Sequence, residues 1–239
     1  MSLLSLFDPA VVLVHTGLIA IASGLDPVLG GASVAVALML VTVVVRAGLL
    51  PLAVAVLRGE RARQALTPEL DRLRRRHGQD PARLMREQQA AYRAAGISPF
   101  AGMLPALAQG PALFVVYRLA QVTTIGAVPN VVLTANLFGA PLSAHLPALL
   151  TTALGAPALV ALALLVSLIA VAAGTSRQQV RRLRASSTGE IAPVSLTLAR
   201  LLPYGSVLMA AVVPVAVSLY LLTSATWMLA ERALLPRWF

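Results

Sequence analysis

Cysteine and lysine are both absent from the 239 residues. Without cysteine the chain has no disulfide framework, thiolate metal site, cysteine nucleophile or thiol for lipoprotein acylation. Charge is scarce as well, at 12% of residues against about 25% in a soluble domain. What charge there is runs one way: 19 arginines face 9 acids, for a formal net charge of +10 and a sequence pI near 11.6. Such a pI would suit a nucleic-acid binder, but those proteins do not devote long stretches to uncharged apolar runs. Hydrophobic residues make up 58% of the chain, and mean hydropathy is +0.83. The composition is that of an integral membrane protein.

Catalytic parts are missing too. Neither G-x-S-x-G nor H-E-x-x-H occurs. His15, His77 and His145 are scattered, and none stands beside an acid at metal-ligand spacing. The acids that ion-coupled transporters hold within their spans are absent, apart from Glu231 near a span's end. No enzyme, metal or cofactor is expected.

The apolar runs organise what is present. Residues 33–57 are broken by one charge, Arg46; 101–122 by Arg118; 156–174 and 201–230 carry none. The first three are long enough for the roughly 20-residue helix that crosses a bilayer. Pro203 and Pro214 interrupt the last, and a turn at Pro214 divides it into spans at 196–213 and 214–235. Between the runs, 58–100 holds ten arginines against five acids, and 174–200 five arginines against Glu190, whereas 123–155 has no charge. The positive-inside rule puts 58–100, 175–195 and the tail 236–239 in the cytoplasm, and the N-terminus and 123–155 outside. Segment 1–32 contains Ala10–Leu25, apolar but 16 residues long with no preceding Arg or Lys. It is expected to be a helix on the outer membrane face rather than a signal peptide or sixth span.

Segment 58–100 reads as a charged helical hairpin. Thr67 is expected to cap a helix with Pro68 at its start, and Asp80 a second with Pro81 at its start; Gly78 and Gly96 end them. Asp71–Arg75 and Arg83–Glu87 stand at i,i+4 and support the helices modestly.

Arg46 is the most informative side chain. Thirteen apolar or small residues precede it in its span and eleven follow. A mid-membrane arginine costs about 2.5–3.5 kcal/mol and calls for a polar interior or wet cavity. A snorkelling or structural arginine is the alternative, but no acid lies in the middle of another span to partner it. Thr42 is one turn earlier on the same face. Arg118, four residues from its span's outer end, reads as snorkelling to the interface. Gln109, between Pro105 and Pro111, reads equally as cavity-facing or as a partner for backbone freed by the prolines. Tyr117, Tyr220 and Trp227 read by default as interfacial or packing residues.

Residues 42–117 also carry a longer pattern. T-V-V-V-R-A-G-L-L-P-L (42–52) is followed by L-T-P-E-L (66–70), then A-Y-R-A-A-G-I-S-P-F-A-G-M-L-P-A-L-A-Q-G-P (91–111). This resembles the YidC/Oxa/Alb family of membrane-protein insertases. Its members have an intramembrane Arg before a Pro-Leu pair, a cytoplasmic hairpin opening with Leu-x-Pro, then a Tyr, an Asn-Pro and a Pro-x-x-x-Gln-x-Pro. Pro51, Pro68, Tyr92, Pro99, Pro105, Gln109 and Pro111 follow that register, with Gly102 inside it. Downstream, P-V-A-V-S-L-Y-L-L-T-S-A-T-W (214–227) is similar to the family's last span, opening at Pro214, and N-L-F-G-A-P-L (136–142) to its outer segment. The chain departs from the family at Ser98, Met103, Ala225 and Glu231, and its basic tail is reduced to Arg237-Trp238-Phe239.

The resemblance implies an all-α bundle of five transmembrane helices with a cytoplasmic helical hairpin and an N-terminal interfacial helix. It implies a hydrophilic groove, lined by Arg46, Thr42, Gln109, Tyr117, Tyr220 and Ser224, that inserts nascent membrane proteins without covalent chemistry or cofactor. The Sec translocon, ribosome and signal-recognition receptor are the implied docking partners in a plasma or inner membrane, with no direct contact to nucleic acid. An assembly chaperone acting beside the Sec translocon is the alternative, and a small-solute transporter is a more distant one.

Overall fold

The computed structural model describes residues 7–96, 104–151, 155–186, 191 and 193–235, with backbone alone for Arg63, 104–109 and Ser186. Pro99 and Gly102 lie outside the described residues. Among the described residues the chain is all-α apart from two minimal strand pairs.

Helix α1 (Asp8–Leu29) buries Val11, His15, Leu18 and Ala22 on one face. Spacings of four and three recur at the helical period and make that face a packing stripe. The helix is longer than the 16-residue run that announces it. A 3-10 turn over Gly30–Ala32 follows, with Gly30 at φ 49°, where a side chain would be strained. Helices α2 (Ser33–Gly48), α3 (Leu50–Ala65) and α4 (Thr67–His77) then form one helical path with breaks at Leu49 and Leu66. Each break stands two residues before a proline, Pro51 or Pro68. Neither proline can donate to the carbonyl four residues back, and its ring crowds that carbonyl.

The helical path runs on past residue 57, the end of the expected span, because charge ends a membrane crossing but not a helix, and no proline falls between 57 and Pro68. One expectation about this path needs correction. Thr67 caps nothing. Leu66 holds the cap position in helical geometry without a side-chain bond, and its carbonyl accepts from the Leu70 N–H at 3.0 Å. Asp80 does cap α5 (Pro81–Ala94), accepting from the Arg83 N–H at 3.0 Å. Helices α4 and α5 pack on each other. Within α4, Asp71 pairs with Arg74 at 3.5 Å rather than with Arg75, and Glu69 pairs with Arg72 at 3.6 Å; Arg83 and Glu87 of α5 do not pair within 4 Å. Both spacings are neighbours on a helix, and exposed pairs are too weak to select one strongly.

Helix α6 (Leu104–Leu119) carries Pro111 internally. Beyond it two short hairpins, β1–β2 (Thr124–Ile125 with Val128–Pro129) and β3–β4 (Asn136–Leu137 with Ala140–Pro141), alternate with α7 (Val131–Thr134) and α8 (Leu146–Leu150). Their turns, Gly126-Ala127 and Phe138-Gly139, have positive φ at both central residues, the type I′ geometry that suits strand twist. Asn130 ties this segment down. Its amide donates to the Leu119 and Val122 carbonyls, the latter at 2.7 Å, and its oxygen accepts from the Val132 N–H at 3.0 Å.

Helix α9 (Ala156–Ser186) is 31 residues long, so residues 175–186, expected as a loop, continue the helix. The expected span 196–213 is instead α10 (Pro193–Leu201), a 3-10 turn over Leu202–Tyr204 and α11 (Gly205–Ala210). Pro203 withholds the N–H that would continue α10. Helix α12 (Val215–Leu234) starts directly after Pro214. Its first N–H groups, which no helix can satisfy internally, are taken by the segment between α6 and α9: Val215 donates to Ala144 at 2.8 Å and Ala216 to Leu142 at 2.9 Å.

Helix α12 is the core of the bundle. It packs between α2 and α9 and touches α6, and every residue from Val215 to Leu221 is buried. That first half is covered all round, as in an interior helix, while Thr226, Ala230 and Leu234 further along are exposed. At Gly174 of α9, a Cβ would stand 3.0 Å from the end of the Leu229 side chain, so α9 and α12 pack closely there. Among the described residues, two stretches, Asp8–Gly48 and Ala156–Ala185, are long and apolar enough to cross a bilayer.

Candidate functional site

A cavity of about 430 Å³ lies among α1, α2, α3, α6 and α12. Its walls are largely aliphatic: Leu38, Val41 and Val45 of α2, Val56 of α3, and Val115 and Val116 of α6. Polar side chains, Arg46 and Thr42 of α2 among them, interrupt these walls. Polar groups are concentrated at two levels, because the helices that form the walls must also pack as apolar rods.

The first level is Arg46. Its Nη2 donates to the Ser224 hydroxyl, which is fully buried on α12. Tyr220, one turn before Ser224 and also buried, brings its hydroxyl towards both Arg46 and Ser224. Thr42 lines the cavity one turn before Arg46; its hydroxyl donates to the Leu38 carbonyl at 2.8 Å and keeps acceptor capacity. The structure thus brings Arg46, Thr42, Tyr220 and Ser224 together. It does not bring Tyr117, which is 42% exposed on α6 and absent from the cavity lining. Successive helical residues are rotated by about 100°, so while Val115 and Val116 face inward Tyr117 turns away. Gln109 and Pro105 lie on the first turns of α6, and the Gln109 side chain is outside the described residues.

The second level, at the opposite end from α1, is a charged mouth that includes Glu60, Glu231 and Arg232. Glu60 of α3 pairs with Arg232 of α12 at 3.8 Å, both about one-quarter to one-third exposed. Arg182 of α9 donates to the Arg232 carbonyl, and Glu231 accepts from the Trp227 indole. Arg182 stands near the Arg232 and Arg61 cations, with the Glu60 carboxylate as their counter-charge.

Sequence reasoning missed this mouth, although a signal existed. Glu60 follows Arg46 by 14 residues, close to four full turns, hence on the same face of a helix that continues past residue 57. Tyr220, Ser224 and Glu231 likewise recur at four and seven along α12.

Helix α1 closes the other end. Phe7, Ala10 and Val14 line the cavity, and the Phe7 ring packs on Phe114 with centroids 5.3 Å apart. Arg118, expected to snorkel, pairs with Asp8 at 3.7 Å. At the other end of α1, Gly31 lies against the Asn136 side chain. Both ends of α1 therefore touch the segment that carries the β-hairpins or the end of α6 leading into it.

Comparison with known proteins places this arrangement. The membrane protein insertase YidC of Streptomyces avermitilis is 34% identical over 110 residues, covering 43% of this chain and 26% of that protein. The YidC of Granulibacter bethesdensis is 38% identical over 88 residues, or 37% of this chain and 15% of that protein. The YidC of Rickettsia typhi is 35% identical over 88 residues, covering 16% of its length. The aligned stretches thus span about a quarter or less of each relative. The family model described as 60Kd inner membrane protein matches residues 25–239. With nine-tenths of its length inside that match, the chain belongs to the 60Kd inner membrane protein family, the YidC/Oxa/Alb family of membrane proteins.

Proposed function

We propose that this protein inserts other membrane proteins, the activity its relatives' names give for those proteins, and helps the inserted proteins fold. It works in the cell membrane with five spans: α2–α3, α6, α9, α10–α11 and α12. The N-terminus is outside, and the α4–α5 hairpin and C-terminus are inside. The arginine asymmetry supports that orientation. Helix α1 lies across the outer ends of the spans, a reading supported by its contacts with Arg118 and Asn136.

The observation that carries the proposal is Arg46 on the wall of an aliphatic cavity. A polar tail crossing a bilayer must shed hydration, and a cavity reaching part-way shortens the dry path. Arg46 attracts acidic residues in that tail, and the surrounding low dielectric strengthens the attraction. The aliphatic walls accept the apolar segment that follows, which then slides into lipid. Binding and release suffice; no covalent step or cofactor enters, and the clients are nascent membrane proteins. The hairpin and the arginine-rich 175–186 face the side where the ribosome, signal-recognition receptor or Sec translocon would dock.

Site-specific photocrosslinking from position 46 tests this. A crosslinker there should capture stalled nascent membrane proteins whose first span is only partly exposed. Capture of fully inserted helices alone would favour the assembly-chaperone reading instead.

A further inference from the structure

Away from the groove, α9 carries a second cluster. Arg177, Arg181 and Arg184 stand at spacings of four and three on one face of α9. Arg200 of α10 and Tyr204 of the 3-10 turn line the same open depression, of about 660 Å³. Ser176, buried, contributes to the depression. No carboxylate lines it among the described residues, and none of the four guanidiniums lies within 4 Å of one. Arg182, on another face of α9, is by contrast engaged with the Arg232 carbonyl. Four converging cations repel one another unless an anion or water intervenes.

The surroundings indicate the anion. Leu201 lines the depression at 63% exposure, Leu202 follows it at 67%, and Leu198 is 50% exposed one turn before. The arginines begin where the apolar part of α9 ends, within the stretch Ala156–Ala185 that is long enough to cross a bilayer. A soluble phosphate would use the cations and leave the leucines bare. An amphiphile with a phosphate head and acyl chains uses both.

We propose that this depression binds the headgroup of an anionic glycerophospholipid. Arginine forks offer paired donors to phosphate oxygens, the Tyr204 and Ser176 hydroxyls are placed to bond the glycerol portion, and the acyl chains run along the leucines of α10. Basic pockets between helices at the membrane edge are suited to such lipids. The lipid would brace α10 and its 3-10 turn, whose packing is chiefly against α9. The proposal rests on the reading of α9 as a span.

Native mass spectrometry of the full chain in mild detergent, titrated with dioleoyl-phosphatidylglycerol or dioleoyl-phosphatidylcholine, tests it without any client protein. Failure of the insertase reading therefore leaves the measurement untouched. The wild type should retain a phosphatidylglycerol adduct and bind phosphatidylcholine far less. Arg177→Gln/Arg181→Gln/Arg200→Gln should weaken the adduct roughly a hundredfold, at about fivefold per arginine. The matching lysine triple, which keeps charge but loses the fork, should fall between, and it guards against a variant that simply misfolds. A triple of equal charge change on the hairpin, Arg75→Gln/Arg76→Gln/Arg86→Gln, should bind as the wild type does. Equal loss in the hairpin triple would reduce the effect to general surface charge and overturn the site. So would equal binding of phosphatidylcholine, displacement of the lipid by millimolar inorganic phosphate, or a pocket triple that loses RNA co-sedimentation while keeping its lipid.

Discussion

The Arg46 guanidinium donates to the Ser224 hydroxyl, joining α2 to α12 across the cavity they share. The bond is charge-assisted, and such bonds to a buried hydroxyl contribute about 1.5–3 kcal/mol. It also aims the cation. Ser224 holds Arg46 at the wall, with the buried Tyr220 one turn away on the same helix.

If Arg46 works by attracting acidic tails, Arg46→Lys should keep most insertion, because charge is retained while the fork is lost. Arg46→Ala should lower insertion of clients with acidic translocated tails by about tenfold and spare neutral ones. Arg46→Glu should be worst. Ser224→Ala should resemble a mild Arg46→Lys. The measurement is insertion of paired clients differing only in tail charge, at matched protein levels, since removing a buried charge can itself stabilise a fold. Equal insertion of both clients by the Ala variant would rule out the electrostatic role.

At the mouth, Glu60→Gln should destabilise more than Arg232→Gln, by about 1–3 kcal/mol against about 1. The glutamate faces Arg232 and offsets the charge felt by Arg182, so its loss leaves like charges together. Thermal unfolding in micelles at low and high salt reads the difference, which should shrink as salt screens the cations.

Asn130→Ala should cost about 2–4 kcal/mol, because it leaves the Leu119 and Val122 carbonyls and the Val132 N–H without their buried partner. Asn130→Asp should be no better, since a carboxylate would face two carbonyl oxygens. Unfolding midpoints of both variants check this.

The hairpin should move more freely than the bundle. In α4 only Leu70 is buried, and in α5 nothing is. Hydrogen exchange should therefore be fast over 67–94 and slow over 215–224. Comparable protection in both would refute a mobile hairpin.

Topology is testable in the cysteine-free chain. Single cysteines at Arg75 and Arg182 should resist an impermeant maleimide on intact cells, whereas one at Asn136 should react. Labelling at 75 without labelling at 136 would invert the model.

Long-range pattern was legible from the sequence, and three-dimensional neighbourhood was not. Hydropathy alone separated the apolar runs, because about 20 residues without charge have few other uses. Pro214 marked the start of α12, and Asp80 the start of α5, since proline geometry and capping act within a few residues. Arg46 stood out because a charge inside an apolar run is costly wherever its neighbours are. Where helices ended was less legible. Charge at 58–65 and 175–186 ends the apolar runs, but helical hydrogen bonding continues through charged residues, so α3 and α9 run on. Which polar residues meet depended wholly on packing. Ser224 accepts from Arg46 and Glu60 pairs with Arg232 because α12 stands against α2 and its continuation, α3, while Tyr117 is turned away by the rotation of α6. Contacts between residues 178 positions apart, as Arg46 and Ser224 are, carry no local signal; the tertiary fold alone creates them.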